Sequence, residues 1–170
     1  MSRLAIIIVT IAVWLAAGAA QASPVSDAGA KLRHMQLVMG LRPTPQPATW
    51  TQLNVHPRVV YREQQSLIGR YWHTLHLFQN PPHESAWRCL YRYEHGRGGW
   101  ASNTGNGYYG GLQMDLGFQR AYGAYLLGAK GTADRWSTLE QMWVGERALR
   151  AGRGFYPWPN TARSCGLIRG

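Results

Sequence analysis

Apolar positions in this chain recur at helical spacing in several stretches, separated by proline- and glycine-rich breaks. Between Arg58 and Phe78, Leu67 and Ile68, then Tyr71 and Trp72, then Leu75 recur at i, i+3 and i+4 spacing, as on one face of a helix. Asn80-Pro81-Pro82 ends that stretch. A second helix is predicted over Ser85–His95. It sets Trp87, Leu90, Tyr91 and Glu94 at i, i+3, i+4 and i+7, with Gly96 as a left-handed C′ residue. A third starts at Asp115, a good N-cap, and runs to about Leu127. A fourth opens on Ser137-Thr138-Leu139-Glu140, the capping-box spacing, and runs to about Ala151 before Gly152. Residues 97–111 are glycine-rich and predict a loop or short hairpin around Gly105-Asn106-Gly107. The pattern therefore predicts an α+β domain at 83–170, mostly helical, with a short β-hairpin or loop insertion.

The first 80 residues read differently. Arg3, the apolar run Leu4–Ala17 and Ala20-Gln21-Ala22 before Ser23 have the order of a signal peptide over 1–22. The run is too short for a good membrane span, so a secreted chain with no stable span after cleavage is expected. Residues 23–57 hold Pro24, Pro43, Pro45, Pro47 and Pro57 and read as a proline-containing linker, weakly helical over Ala28–Met39. Residues 58–80 read as an amphipathic helical extension. It packs on the domain or binds a protein partner, and the pattern does not choose between them.

Charge and cysteines narrow the setting. The chain carries a formal +10, which favours a polyanionic partner. An exported chain meets wall polymers and lipid headgroups, so nucleic acid is not the expected partner. The two cysteines, Cys89 and Cys165, both follow the signal. In an oxidising compartment they are expected to pair, tying the Glu94 helix to the tail. Cys89 lies roughly 140° from Glu94 on the helical wheel, so the bridge should leave the Glu94 face free. No metal or organic cofactor is implied. His73 and His76 share a helix but read as surface or core residues.

Glu94 is the acid that stands out. A carboxyl group on an apolar stripe loses solvation, and at a helix C-terminus it meets the negative end of the dipole. Both favour the protonated form that a general acid needs. The bland alternative is a cap or a salt bridge with Arg92, Arg97 or Arg120. Glu146 shares a stripe with Leu139, Met142 and Trp143, but Arg150 at i+4 predicts a structural ion pair. Asp134 and Glu140 read as turn and capping residues. In the loop, Asn103, Thr104, Asn106 and Gln113 can hydrogen-bond a ligand, and Trp100, Tyr108 and Tyr109 offer flat faces with polar edges. A turn whose aromatics merely cover the core fits the same composition.

These residues resemble a known family. Glu94, Gly98-Gly99-Trp100 and the string from Asn103 to Gln113 look like the resuscitation-promoting-factor and transglycosylase-like family of actinobacterial wall enzymes. Gly145-Glu146-Arg147-Ala148, Gly154–Pro159 and Cys165-Gly166 agree with it, so the resemblance covers about residues 84–168. It implies a small lysozyme-like α+β fold and cleavage of the MurNAc–GlcNAc β-1,4 bond of peptidoglycan strands. By position, Glu94 matches the catalytic glutamate. Thr104 and Gln113 match substrate-holding positions, with Tyr108 and Tyr109 in the groove. The family usually has Cys before the glutamate and Ser after it; here Tyr93 and His95 stand there. The resemblance thus implies a divergent member with its bridge shifted along the helix. The expected function is a lytic transglycosylase, with muramidase hydrolysis as the other outcome of the same chemistry. The rival readings are a non-catalytic wall-binding module, and a scaffold whose 58–78 helix docks on a partner.

Overall fold

The computed structural model describes residues 24–45, 57–95 and 98–169. The signal peptide expected at 1–22, the 46–56 part of the linker and the C′ position Gly96 lie outside the described residues. Among the described residues, seven α-helices and one small sheet follow in chain order. They are α1 (Pro24–Met39), α2 (Pro57–Gln79), α3 (Glu84–Glu94), β1 (Tyr108–Tyr109), β2 (Met114–Asp115), α4 (Leu116–Tyr122), α5 (Ala124–Lys130), α6 (Thr138–Ala148) and α7 (Pro159–Ser164). The architecture is the mostly helical α+β class that the pattern predicts.

α6 is the central element. Its capping box forms as expected: Ser137 accepts from the Glu140 N–H, and the Glu140 carboxylate accepts from the Ser137 N–H. From Glu140 to Glu146 every residue is buried. Gly145 admits the Trp87 ring, because a Cβ there would lie 2.7 Å from it. Around α6 the core gathers Trp87 and Leu90 from α3, Leu112 and Met114 from the loop and β2, Leu126 from α5, and Trp136, Trp158 and Ala162.

α1 departs from the linker reading. Leu32, Met35, Val38 and Met39 are buried, and the helix packs on α2 and α6. Its end is a Schellman-type stop, with Gly40 at φ 72° and the Leu41 N–H bonded to the Gln36 carbonyl. His34 reaches the buried Glu140, which also accepts from Lys130 Nζ at 2.6 Å. Burial pushes the Glu140 carboxyl up, but Lys130, the Ser137 N–H and His34 outweigh it and hold the group below its ordinary value. The prolines around this segment obscure a short stripe whose burial decides its fate. A Leu32→Ala variant should therefore lose about 2–5 kcal/mol in urea unfolding, as for a core leucine rather than a linker residue.

One other boundary and one stripe differ from expectation. The helix begun at Asp115 breaks at Gly123, where a Cβ would meet the Trp136 ring at 2.5 Å. Glycine lets that ring close over the junction. On α2, Leu67 is buried, whereas Trp72 of the same predicted stripe is 61% exposed.

The sheet is a tight antiparallel pair, Tyr108 opposite Asp115 and Tyr109 opposite Met114, extended by a bridge from Asn103 to Tyr109. Two turns make it. Gly105 and Gly107, at φ 75° and 87°, carry the expected reversal between Asn103 and Tyr109. A second runs through Gly110 (φ 77°) to Gln113, a non-glycine residue at φ 49°.

Candidate active site

The apolar stripe of α3 positions Glu94. Trp87 and Leu90 are fully buried, Tyr91 partly so, and Glu94 ends the helix partly exposed. The Trp87 indole donates to Glu146 Oε1 at 2.8 Å. That bond fixes the rotation of α3 about its axis, and with it where Glu94 emerges two turns later. The helix stops there because His95 is extended, with its N–H on the Tyr91 carbonyl.

α7 supplies the partner of Glu94. Thr161 Oγ1 donates to Glu94 Oε1 at 2.7 Å and lies 3.2 Å from the Trp158 carbonyl oxygen. The Cys89–Cys165 disulfide, with Cα atoms 6.0 Å apart, staples α7 to α3. The pairing is the expected one, but the Glu94 face is not left free. Thr161 precedes Cys165 by one helical turn, so the helix held by the bridge also covers one oxygen of the carboxylate.

Trp158 links this pair to the glycine-rich loop. Its indole Nε1 donates to the Leu112 carbonyl at 2.6 Å, and its ring packs edge-on against Trp87 and Phe118. Next to Leu112, Gln113 folds its side-chain amide back onto the Gly110 carbonyl at 2.8 Å. Tyr108, Gln113, Asp115, Phe118, Pro157 and Trp158 line one small cleft, so two of the predicted loop residues come together here. Asp115 is the expected N-cap and accepts from the Phe118 N–H at 2.7 Å.

The other loop residues are placed differently. Trp100 stacks face to face on Tyr91, with centroids 4.3 Å apart, and Tyr91 stacks in turn on His95. Tyr109 is partly buried against the core. Asn106 accepts from the Tyr108 N–H at 3.0 Å, a local turn bond. Thr104 is exposed at the loop tip.

Two buried glutamines that the sequence reading did not single out hold the loop. Gln141 accepts from the Gly111 N–H and donates toward the carbonyls of Trp100, Ala133 and Trp136. Gln119 bridges the Met114 carbonyl and the Ala133 N–H. Gly111 itself is crowded, since a Cβ would stand 2.7 Å from both Trp100 and Tyr91. Gly111→Ala should cost about 1–3 kcal/mol in urea unfolding by overpacking this stack.

Glu146 is structural, as expected, but its partner is not Arg150. It accepts from Trp87 and from the His83 N–H at 2.9 Å, while Arg150 turns to the Met39 carbonyl and over Trp143. Asp134 accepts from Asn103 at 3.4 Å. His73 and His76 are exposed on α2.

Comparison with known proteins places this geometry. Residues 82–161 match the family model described as transglycosylase-like domain. The chain is 38% identical over 96 residues to resuscitation-promoting factor RpfE of Mycobacterium tuberculosis, covering 51% of this chain and 52% of that protein. It is 42% identical over 84 residues to resuscitation-promoting factor Rpf1 of Corynebacterium glutamicum, covering 49% and 42%. It is 38% identical over 81 residues to resuscitation-promoting factor RpfC of Mycobacterium tuberculosis, covering 48% and 53%. The chain thus spans about half the length of these curated relatives. Residues 82–161, which carry Glu94, the glycine-rich loop and Thr161, form a transglycosylase-like domain of the mostly helical, lysozyme-like α+β class, similar over about half of the chain to the resuscitation-promoting factors.

Proposed function

We propose that this domain cleaves the β-1,4 bond between N-acetylmuramic acid and N-acetylglucosamine in peptidoglycan, with Glu94 as its only catalytic carboxyl group. The observation that carries this reading is the isolation of Glu94. One of its oxygens is held by Thr161, and the other has no hydrogen-bond partner among the described residues. The remaining acids are occupied or remote. Asp27 pairs with Lys31, Glu84 with Arg88 and Glu140 with Lys130. Asp115 caps α4, Asp134 meets Asn103, Glu146 holds Trp87, and Glu63 is exposed on α2.

In this reading Glu94 protonates the glycosidic oxygen as the C1–O bond breaks. With no second carboxylate assigned, the substrate's own N-acetyl group stabilises the oxocarbenium-like centre. Glu94 then takes the proton of the C6 hydroxyl as that oxygen closes on C1, giving an anhydro-muramyl end. Water in place of the C6 hydroxyl would give hydrolysis. Gln113 and Tyr108 are assigned to hold the glycan through the cleft they share with Trp158, and Thr104, Asn106, Tyr109 and Trp100 are assigned to further substrate contacts along the loop, outside that cleft. The site of action is outside the membrane, at the wall. The disulfide and the signal-like N-terminus support that placement, and no helix among the described residues is long and apolar enough to cross a membrane.

A wall-binding module is the second reading, favoured by the +10 charge and by exposed aromatics such as Tyr108 and Tyr156. The two separate on purified sacculi. The enzyme releases soluble glycan fragments. A binding module sediments with the wall, detaches in salt and releases nothing.

A further inference from the structure

We propose that Thr161 is a positioning residue that decides which oxygen of Glu94 carries the catalytic proton. The inference rests on the reading of Glu94 as the general acid. A hydroxyl has one hydrogen to give. Two acceptors lie within reach of Thr161 Oγ1: Glu94 Oε1 at 2.7 Å and the Trp158 carbonyl at 3.2 Å. The shorter contact, to an ionisable acceptor, is the stronger. An oxygen that already accepts this hydrogen serves as the carbonyl-type oxygen of the protonated acid. The proton therefore sits on Oε2, the oxygen without a protein partner among the described residues.

One fixed contact then serves both half-reactions. In the first, the Oε2 proton passes to the glycosidic oxygen as the C1–O bond breaks and its electron pair stays on that oxygen. The new carboxylate keeps the Thr161 hydrogen on Oε1. In the second, the attacking hydroxyl oxygen bonds to C1 and its proton returns to Oε2. Thr161 gains and loses no proton in either step.

The surroundings hold Thr161 in place. α7 begins at Pro159, the Cys165 N–H bonds the Thr161 carbonyl at 2.9 Å, and Cys165 is bridged to α3. Ala162, beside it, is fully buried. The β-branched side chain is stiff at χ1. The Trp158 carbonyl, on the same turn, limits where the hydroxyl can rest. Nothing in the sequence pattern of the tail after Gly152 points to this threonine.

The test uses the full chain and soluble, uncrosslinked peptidoglycan strands. Thr161→Val keeps the shape and removes the donor. Its kcat should fall about ten- to a hundredfold, as for a lost hydrogen bond to a charged group, with KM within about twofold of wild type. Thr161→Ser should restore kcat to within about threefold. A second readout needs no substrate. In protein labelled with carbon-13 at the glutamate carboxyl, the Glu94 resonance is the one lost in Glu94→Gln. It should move in Thr161→Val and stay in Thr161→Ser. If Thr161→Val does not fold, Thr161→Ala carries the same expectations. Wild-type kcat in the valine variant beside an inactive Glu94→Gln, or an unmoved resonance, overturns the proposal and leaves the reading of Glu94 standing. Full activity in Glu94→Gln overturns the reading itself.

Discussion

Glu94→Gln is expected to leave the protein folded and, if Glu94 is the general acid proposed, to lower cleavage of peptidoglycan by about a thousandfold, within the range that general acid–base catalysis supplies. The substitution removes the transferable proton and little else. Glutamine keeps a carbonyl oxygen to accept from Thr161, whose hydroxyl lies 2.7 Å from Oε1 in the native site. Glu94 is at the end of α3 and partly exposed, so no buried ion pair is broken. The melting temperature should therefore stay near wild type while fragment release from sacculi stops. Glu146→Gln provides the contrast. That carboxylate is 2% exposed and accepts from both Trp87 and the His83 N–H. Its loss acts on stability, not on proton transfer.

Removal of the Cys89–Cys165 bridge has the second large effect. The bridge closes a loop with a sequence separation of 76, for which the chain-entropy model allows up to about 4 kcal/mol. A Cys89→Ser, Cys165→Ser double variant should shift its urea midpoint down accordingly, and reductant should shift the wild type to match. Activity should fall in buffer without urea as well. α7 carries Thr161 and ends at Cys165, so loosening it from α3 loosens the only hydrogen-bond partner of the Glu94 carboxylate among the described residues. A midpoint unchanged by reductant would show that packing of Ala162 and Trp158 alone holds α7.

What was legible in the sequence was what local rules govern. The Ser137–Glu140 capping box, the Asp115 N-cap and the Gly105–Gly107 reversal depend on residues a few positions apart, and each forms as expected. The stripe of Trp87, Leu90, Tyr91 and Glu94 needs only the helical period. What was not legible depends on contacts distant in sequence. α1 looks like linker because prolines surround it, yet four of its apolar residues find the core. Gly123 reads as a tolerated glycine until Trp136 is seen against it. Gln119 and Gln141 have the composition of surface amides, and only the fold makes them buried anchors of the loop. Arg150 satisfies the i+4 rule for Glu146 on paper, but the α1 terminus competes for its guanidinium. Trp100 reads as a ligand platform, yet Tyr91 covers one of its faces. Thr161 and Glu94 meet across a 67-residue separation that no local pattern encodes.

The most direct test of the central claim is mass spectrometry of the products that the protein forms from purified peptidoglycan, beside the Glu94→Gln variant. The account predicts anhydro-muropeptides from the wild type and none from the variant. Reducing-end products one water heavier would keep Glu94 but replace transglycosylation with hydrolysis, with Asp115 the first group to examine for positioning water. The same products from both proteins, or none from a folded, wall-bound wild type, would contradict it.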